Sequence, residues 1–456
     1  MEEHDCTQGV VLVSDKESES KPRGPLGRLT NLSTFESLHI RDYRLLWLGQ
    51  VGTSMGQWMD QVTRGWLIYS MTGSAVQLGI AAAARGIPLL LFGVLAGAVA
   101  DRYGRKRQLI IAQSTNAVLN VILATLVLTN HVQPWHIYVT GFLAGTAQAF
   151  QQPARQTLIT DIVGNKHLVN ALALNSAVIN GSRTVGPAIA GFLIVLIGSD
   201  GSYYMQAAMY AFATIWTMQM RVPDQAVAIA SEAKESLLST TKEGLVYVAE
   251  HRDLRALMIL ALGPLTLGFP YISLMPIFAV DILHGDAQTQ GLLLTFGGIG
   301  ALAGALVVAS MHTRYAYSWP VIVGATAFGL GLIAFSQSHW FVLSAILITI
   351  VGVFNVTYLT QTQTLLQIIA PRYIRGRVMS IYLLSRGLIP VATLLAGVLA
   401  AALGAPTALL IMSAGCIIVV WLVVLLTPGF AKLRVELDAT AAGGVVSHGE
   451  SPVQPT

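Results

Sequence analysis

The sequence predicts an all-α membrane protein with twelve transmembrane helices in two pseudo-symmetric six-helix halves. Three observations lead there. Hydrophobic residues make up 54% of the 456-residue chain and charged residues 11%, against about 25% charged in soluble domains; mean hydropathy is +0.62. Twelve apolar runs are each long enough to cross a bilayer core, which needs about 20 helical residues. Finally, "SRTVGP" at Ser182 to Pro187 and "SRGLIP" at Ser385 to Pro390 each place an arginine ahead of a proline inside an apolar run. The two copies lie about 200 residues apart, as an internal repeat requires.

The elements follow in order. Residues 1–43 are polar and read as an N-terminal tail with no cleavable signal peptide. The first half, 44–221, holds runs near 45–70, 75–100, 108–129, 134–161, 168–198 and 202–221. Residues 222–252 are a charged central loop ending in an amphipathic stretch suited to a membrane surface. The second half, 253–427, holds runs near 255–283, 288–311, 317–337, 340–369, 377–403 and 405–427. Residues 428–456 form a tail, expected to be disordered from Lys432 onward.

Lysine and arginine set the expected orientation. They crowd the N-terminal tail, the loop at Arg102 to Arg107, the central loop, the turn at Arg372 to Arg377, and Lys432 with Arg434. The alternate loops, near 72, 131, 200, 285, 338 and 404, carry none. The positive-inside rule then puts both termini in the cytoplasm, in a plasma (inner) membrane.

Several function classes recede. Cys6 and Cys416 support no disulfide framework or metal cluster. No phosphate-binding G-x-x-x-x-G-K-[ST] loop occurs, and "GGIGALAG" reads as helix packing through Gly300 and Gly304. No enzyme activity and no cofactor are expected. The expected partners are a small-molecule substrate, protons and membrane lipid, without nucleic acid, and the chain is expected to act as a monomer.

Charges inside the membrane are the candidate machinery. An arginine facing lipid at mid-depth costs about 2.5–3.5 kcal/mol, so Arg64, Arg85, Arg183 and Arg386 must find partners or a wet cavity. Asp60 and Arg64 share a helix face and can pair. Either they only neutralise each other, or Asp60 carries a proton and exchanges its bond to Arg64 or Arg183. For Arg85, three residues before Pro88, hydrogen bonding to freed carbonyls is the expected role. Arg183 and Arg386, on equivalent helices, are candidates for a cationic cavity that favours an anionic solute. Asn180, Gln152 and Gln361 are candidate cavity contacts, with interhelical hydrogen bonding as the plainer alternative.

"GAVADRYGRK" has Gly97 for close helix approach, Gly104 for a turn, and Asp101 beside Arg102, Arg105 and Lys106 for an ionic latch. It resembles the G-x-x-x-D-R-x-G-R-K signature of the major facilitator superfamily. The resemblance implies that Arg105 also reaches Asp161, and that the loop helps hold the outward-facing state. The second-half copy has Val308 where the aspartate would be. "RTVGPAIAG" resembles the G-P-x-x-G-G element of exporters through Gly186, Pro187 and Gly191, with Ala190 replacing a glycine. "FQQPARQTLITDIV" and "LMPIFAVDILHG" are similar to facilitators related to the enterobactin exporter and macrolide efflux pumps. From these the expected function is proton-coupled export of small amphiphilic, siderophore-like or drug-like compounds by alternating access. The alternatives are import of a nutrient anion and a non-transporting receptor or scaffold.

Overall fold

The computed structural model describes residues 33–102, 104–221, 237–310, 315–371, 373–427, 429–432, 434–436 and 446–447. After a short 3-10 turn, α1 spans Arg41–Thr72, α2 Ala75–Arg102, α3 Arg105–Leu128 and α4 Pro134–Gln219. A surface helix, α5 (Leu237–Glu250), precedes the second set. That set is α6 (Arg252–Ile282), α7 (Ala287–Ser310), α8 (Trp319–Ser336), α9 (Phe341–Ile369), α10 (Arg375–Leu403) and α11 (Ala405–Leu426).

Nine helices among the described residues are long and apolar enough to cross a membrane. One is α4, whose 86 residues would run about 130 Å if straight, several bilayers thick. Gly164 (φ 61°) and Gly198 (φ 78°) break it into segments 134–163, 165–197 and 199–219. Both glycines hold the left-handed conformation that other residues rarely adopt, so α4 makes three passes. The helix α1 is 32 residues long but too polar for hydropathy alone, because Gln50, Asp60, Thr63 and Arg64 are buried on it. With these two readings the structure is consistent with the twelve expected passes.

Proline disturbs the second half. Within α6, π-helical turns fall at Pro264–Gly268 and Phe278–Ile282. A 3-10 turn at Arg386–Leu388 interrupts α10 just before Pro390. Proline has no N–H and clashes with the preceding turn, so the regular ladder gives way there.

The end of the bundle that carries Arg41, Arg105, Lys106, Arg375 and Arg377 is here termed the basic face. At that face α5 docks on the start of α10 through a Glu243–Arg377 ion pair, and Tyr247 meets Tyr373 edge-on at 6.2 Å. Burial, then the bond to Tyr373, pushes the Tyr247 hydroxyl up to about 12. Leu245 and Val246 stay exposed on α5, as the amphipathic reading requires. The first part of the loop, 222–236, lies outside the described residues. Strands Tyr315–Tyr317, Arg434–Glu436 and Val446–Ser447 form a small antiparallel sheet. The tail expected to be disordered from Lys432 is therefore partly ordered: backbone pairing to the loop after α7 holds it.

The halves meet through glycine. A Cβ on Gly191 would lie 2.6 Å from the carbonyl of Ala287, and one on Gly397 2.6 Å from that of Ala75. A Cβ on Gly298 would lie 2.7 Å from Thr184 Cα. These contacts join segment 165–197 to α7, and α2 to α10. They lie level with mid-bundle or towards the face opposite the basic one. At the basic face, residues 375–385 of α10 pack instead on α5 and α9.

Candidate functional site

Between the halves lies a cavity of about 590 Å³, within the usual range for small-molecule sites. Its first-half wall carries most of the polar groups, set among Leu78, Ala81, Ala82 and Leu89. Gln57, Gln61 and Arg64 from α1, Arg85 from α2, and Gln148 and Gln152 from α4 line it. Gln57, Gln61 and Arg64 follow an i, i+4, i+7 stripe, so one helix face presents all three. Gln148 donates to Gln57 at 3.1 Å. The second-half wall sets Phe269, Pro270, Ile272, Pro276 and Ile389 beside Ser273, Gln290, Arg386 and Thr393.

Behind the polar wall sits a buried ion cluster. Asp60 is 3% exposed. Arg64 grips both its oxygens, Nη2 to Oδ1 at 2.9 Å and Nε to Oδ2 at 3.2 Å. Arg64 also donates to the Ile137 carbonyl at 2.8 Å and to Thr140 at 3.0 Å. Arg85 Nη1 reaches Asp60 Oδ2 at 2.5 Å. Two cations thus share one carboxylate, and the cluster's formal charge is positive.

The geometry corrects one expectation and shows where a second candidate stands in this state. Arg85 was expected to satisfy freed carbonyls; it pairs with Asp60 instead. Arg183, expected as an alternative partner of Asp60, sits 5.7 Å over the Trp58 ring. A cation over an aromatic face is itself a favourable contact. Position, not spacing, decides this: α2 lies against α1 at the depth of Asp60.

The other candidates divide. Gln152 and Arg386 line the cavity. Arg183, Asn180 and Gln361 are not among its lining residues. Asn180 is exposed and its side chain donates to the Ser176 carbonyl at 2.9 Å, while Gln361 is half-buried on α9. At the basic face Arg105 and Asp161 form an ion pair, and Lys106 donates to the Met220 carbonyl at 2.7 Å. Gly97, Asp101 and Arg102 lie on the last turns of α2, and their side chains are outside the described residues. Gly104 has φ −52°, open to any residue, so the turn does not itself demand glycine. Gly186 packs against Trp58, where a Cβ would lie 2.8 Å away, and the Pro187 carbonyl abuts Gly291. The Gly186, Pro187 and Gly191 element thus lies on segment 165–197, with Pro187 and Gly191 at its contact with α7.

Three features escaped the sequence reading. Arg155 is 2% exposed, with no carboxylate partner among the described residues; the Gln113 amide, once its oxygen and nitrogen are exchanged, accepts from it at 3.1 Å. Tyr69 on α1 bonds to Asp281 on α6 across the halves. Gln290 reaches the Val62 carbonyl at 3.5 Å. The Gln57–Gln61 stripe was legible by spacing; the two cross-half bonds were not.

Residues 32–439 match the model of a family described as transmembrane secretion effector. The chain is 26% identical over 390 residues to a staphyloferrin A transporter of Staphylococcus aureus, covering 85% of this chain and 96% of that protein. It is 28% identical over 355 residues to the multidrug efflux pump Tap of Mycolicibacterium fortuitum, covering 76% and 86%. Macrolide efflux protein A of Streptococcus pyogenes is 21% identical over 263 residues, covering 58% and 65%. Among solved structures, a bacterial homologue of the human lysosomal transporter Spinster, inward-facing and occupied, superposes with TM-score 0.69 at 14% identity, covering 85% of this chain and 96% of that one. Nucleoside transporter NupG gives 0.65 at 14% identity, covering 84% and 98%.

Proposed function

Because this chain belongs to the transmembrane secretion effector family, with the major facilitator fold, we propose that it is a secondary transporter that expels small amphiphilic compounds. The cavity between the halves carries the proposal: its lining sets arginines and glutamines among apolar side chains from both halves, as an amphiphile requires. Relatives named for siderophore transport, multidrug efflux and macrolide efflux support siderophore-like or drug-like compounds as the class.

With the basic face taken as cytoplasmic, the halves are closed outside and this is an inward-facing state, ready to load from within. Rocking of the halves would open the other side. The loop with Gly97, Asp101, Arg102, Gly104, Arg105 and Lys106 serves in this reading as the latch of the outward-facing state, with the Arg105–Asp161 pair, made within the first half already in this state, holding the loop in place. Asp60 is the proton-coupling residue in this reading, and Arg64 its anchor. Protonation of Asp60 would dissolve both ion pairs and free α2 to move against α1. For a substrate without negative charge, inward proton movement through Asp60 supplies the driving force.

The test uses purified protein in liposomes under an imposed pH gradient, with catecholate siderophores, macrolides and cationic dyes as the panel. Uphill movement that needs the gradient and vanishes in Asp60→Asn supports the reading. Gradient-driven movement that survives the substitution removes Asp60 from the mechanism. Uptake of an anion in the opposite sense supports import, and no movement of any compound favours a receptor or scaffold.

A further inference from the structure

The two arginines at Asp60 are not equivalent. Arg64 has a side chain 6% exposed. It is bonded to both carboxylate oxygens, a carbonyl and a threonine. Arg85 has a side chain 20% exposed and touches Asp60 through Nη1. It lines the cavity, and a guanidinium has five N–H donors. Arg64 is thus fixed by what surrounds it, while Arg85 is held by one carboxylate at the edge of the space a solute would fill.

We propose that Arg85 receives an oxyanion of the transported compound, and that Asp60 is the built-in competitor holding that place in the empty cavity. The inference rests on reading the cavity as a substrate site. It names the class: an amphiphile with a carboxylate-type pole. That pole lies towards Arg85 and the α1 and α4 glutamines, with Arg386 facing them. The apolar body lies against Phe269, Ile272 and Pro276. A carboxylate matches the planar guanidinium fork, and the positive excess of the wall favours it over a cation.

The sign of coupling follows. The charged and titratable groups facing Asp60 are Arg64 on α1, Arg85 on α2, and Tyr203 and Tyr210 on segment 199–219. A proton on Asp60 removes the competitor and leaves Arg85 open. An anionic solute and the proton therefore bind together and not in turn. A monoanion leaving with that proton moves no net charge, so only an anion of higher charge draws on the interior-negative membrane potential, whereas an uncharged or cationic solute exchanges with the proton.

The experiment measures binding, independently of transport. Full-length protein in detergent is titrated calorimetrically with 4-phenylbutyrate and with its neutral analogue 4-phenylbutyramide. The wild type is expected to prefer the acid. Asp60→Asn, which keeps the size and an acceptor oxygen, should tighten the acid about tenfold and leave the amide unchanged. Arg85→Gln should abolish the preference, and Arg85→Lys should restore part of it. Acid affinity unchanged or weakened in Asp60→Asn, with the amide unaffected, overturns the inference and leaves the transporter reading standing. Failure of both probes to bind any variant overturns both.

Discussion

The Tyr69 hydroxyl donates to Asp281 Oδ2 at 2.5 Å, joining α1 of one half to α6 of the other at the face opposite the basic one. Besides the longer Gln290–Val62 bond at 3.5 Å, the neighbouring cross-half contacts set glycine against backbone, which pack closely but have no directional bond. The pair therefore tunes how firmly that face stays shut.

Tyr69→Phe and Asp281→Asn should each shift the population towards the state open at that face. A hydrogen bond to a charged group contributes about 1.5–3 kcal/mol, so a shift of roughly ten- to hundredfold is expected. Spin labels on Ser74 and Ala405, with distances read by pulsed EPR, check it. Unchanged distance distributions in both variants would remove the pair from gating.

Asp60→Leu should lower stability by about 3–5 kcal/mol, because it strands two guanidiniums around a buried site. Arg64→Leu should cost more than Arg85→Leu, since Arg64 is the more deeply enclosed of the two. Thermal unfolding in detergent ranks the three variants.

Gly191→Leu and Gly397→Leu would drive a side chain into the Ala287 and Ala75 carbonyls. Each half should still fold, because the clash is between halves. Transport should fall by more than tenfold while expression and helix content hold. Circular dichroism beside the liposome assay separates the two effects.

The Arg105–Asp161 pair is partly exposed, with Asp161 at 39%, and exposed pairs are worth at most about 1 kcal/mol. Arg105→Ala should therefore leave melting almost unchanged yet slow transport if the pair acts in the cycle. The exchange Arg105→Asp with Asp161→Arg should recover rate, and raised salt should weaken the recovery.

Arg155→Met offers a contrasting test. Arg155 is buried with no carboxylate partner among the described residues, and exchanging even paired buried charges for apolar side chains is often neutral or stabilising, by up to about 4 kcal/mol. A variant that melts higher but transports less would assign Arg155 a functional role. One that melts lower would make its bond to Gln113 structural.

Residues carried some of this and geometry the rest. Apolar run lengths and the Gly300–Gly304 spacing announced spans and packing: a Cβ at either glycine collides with a carbonyl of α9, at Thr349 and Val353. The Asp60–Arg64 pair was legible because i, i+4 residues share a helix face at any tertiary placement. The same rule made the amphipathic character of residues 237–250 visible.

The second partner of Asp60 was not legible. Arg85 and Arg183 both lay at plausible depth, and sequence fixes depth along a helix but not which helix faces which. Only the packing of α2 on α1 brought Arg85 to 2.5 Å and left Arg183 above Trp58. The Tyr69–Asp281 bond is likewise a product of closure, between residues 212 positions apart. Sequence by itself determined that this is a membrane-spanning, two-half helical protein with charge buried on its first helix, because hydropathy and helical periodicity are local properties. Tertiary structure decided which charges meet, which face is shut and where the cavity lies, because those depend on the relative placement of helices far apart in the chain.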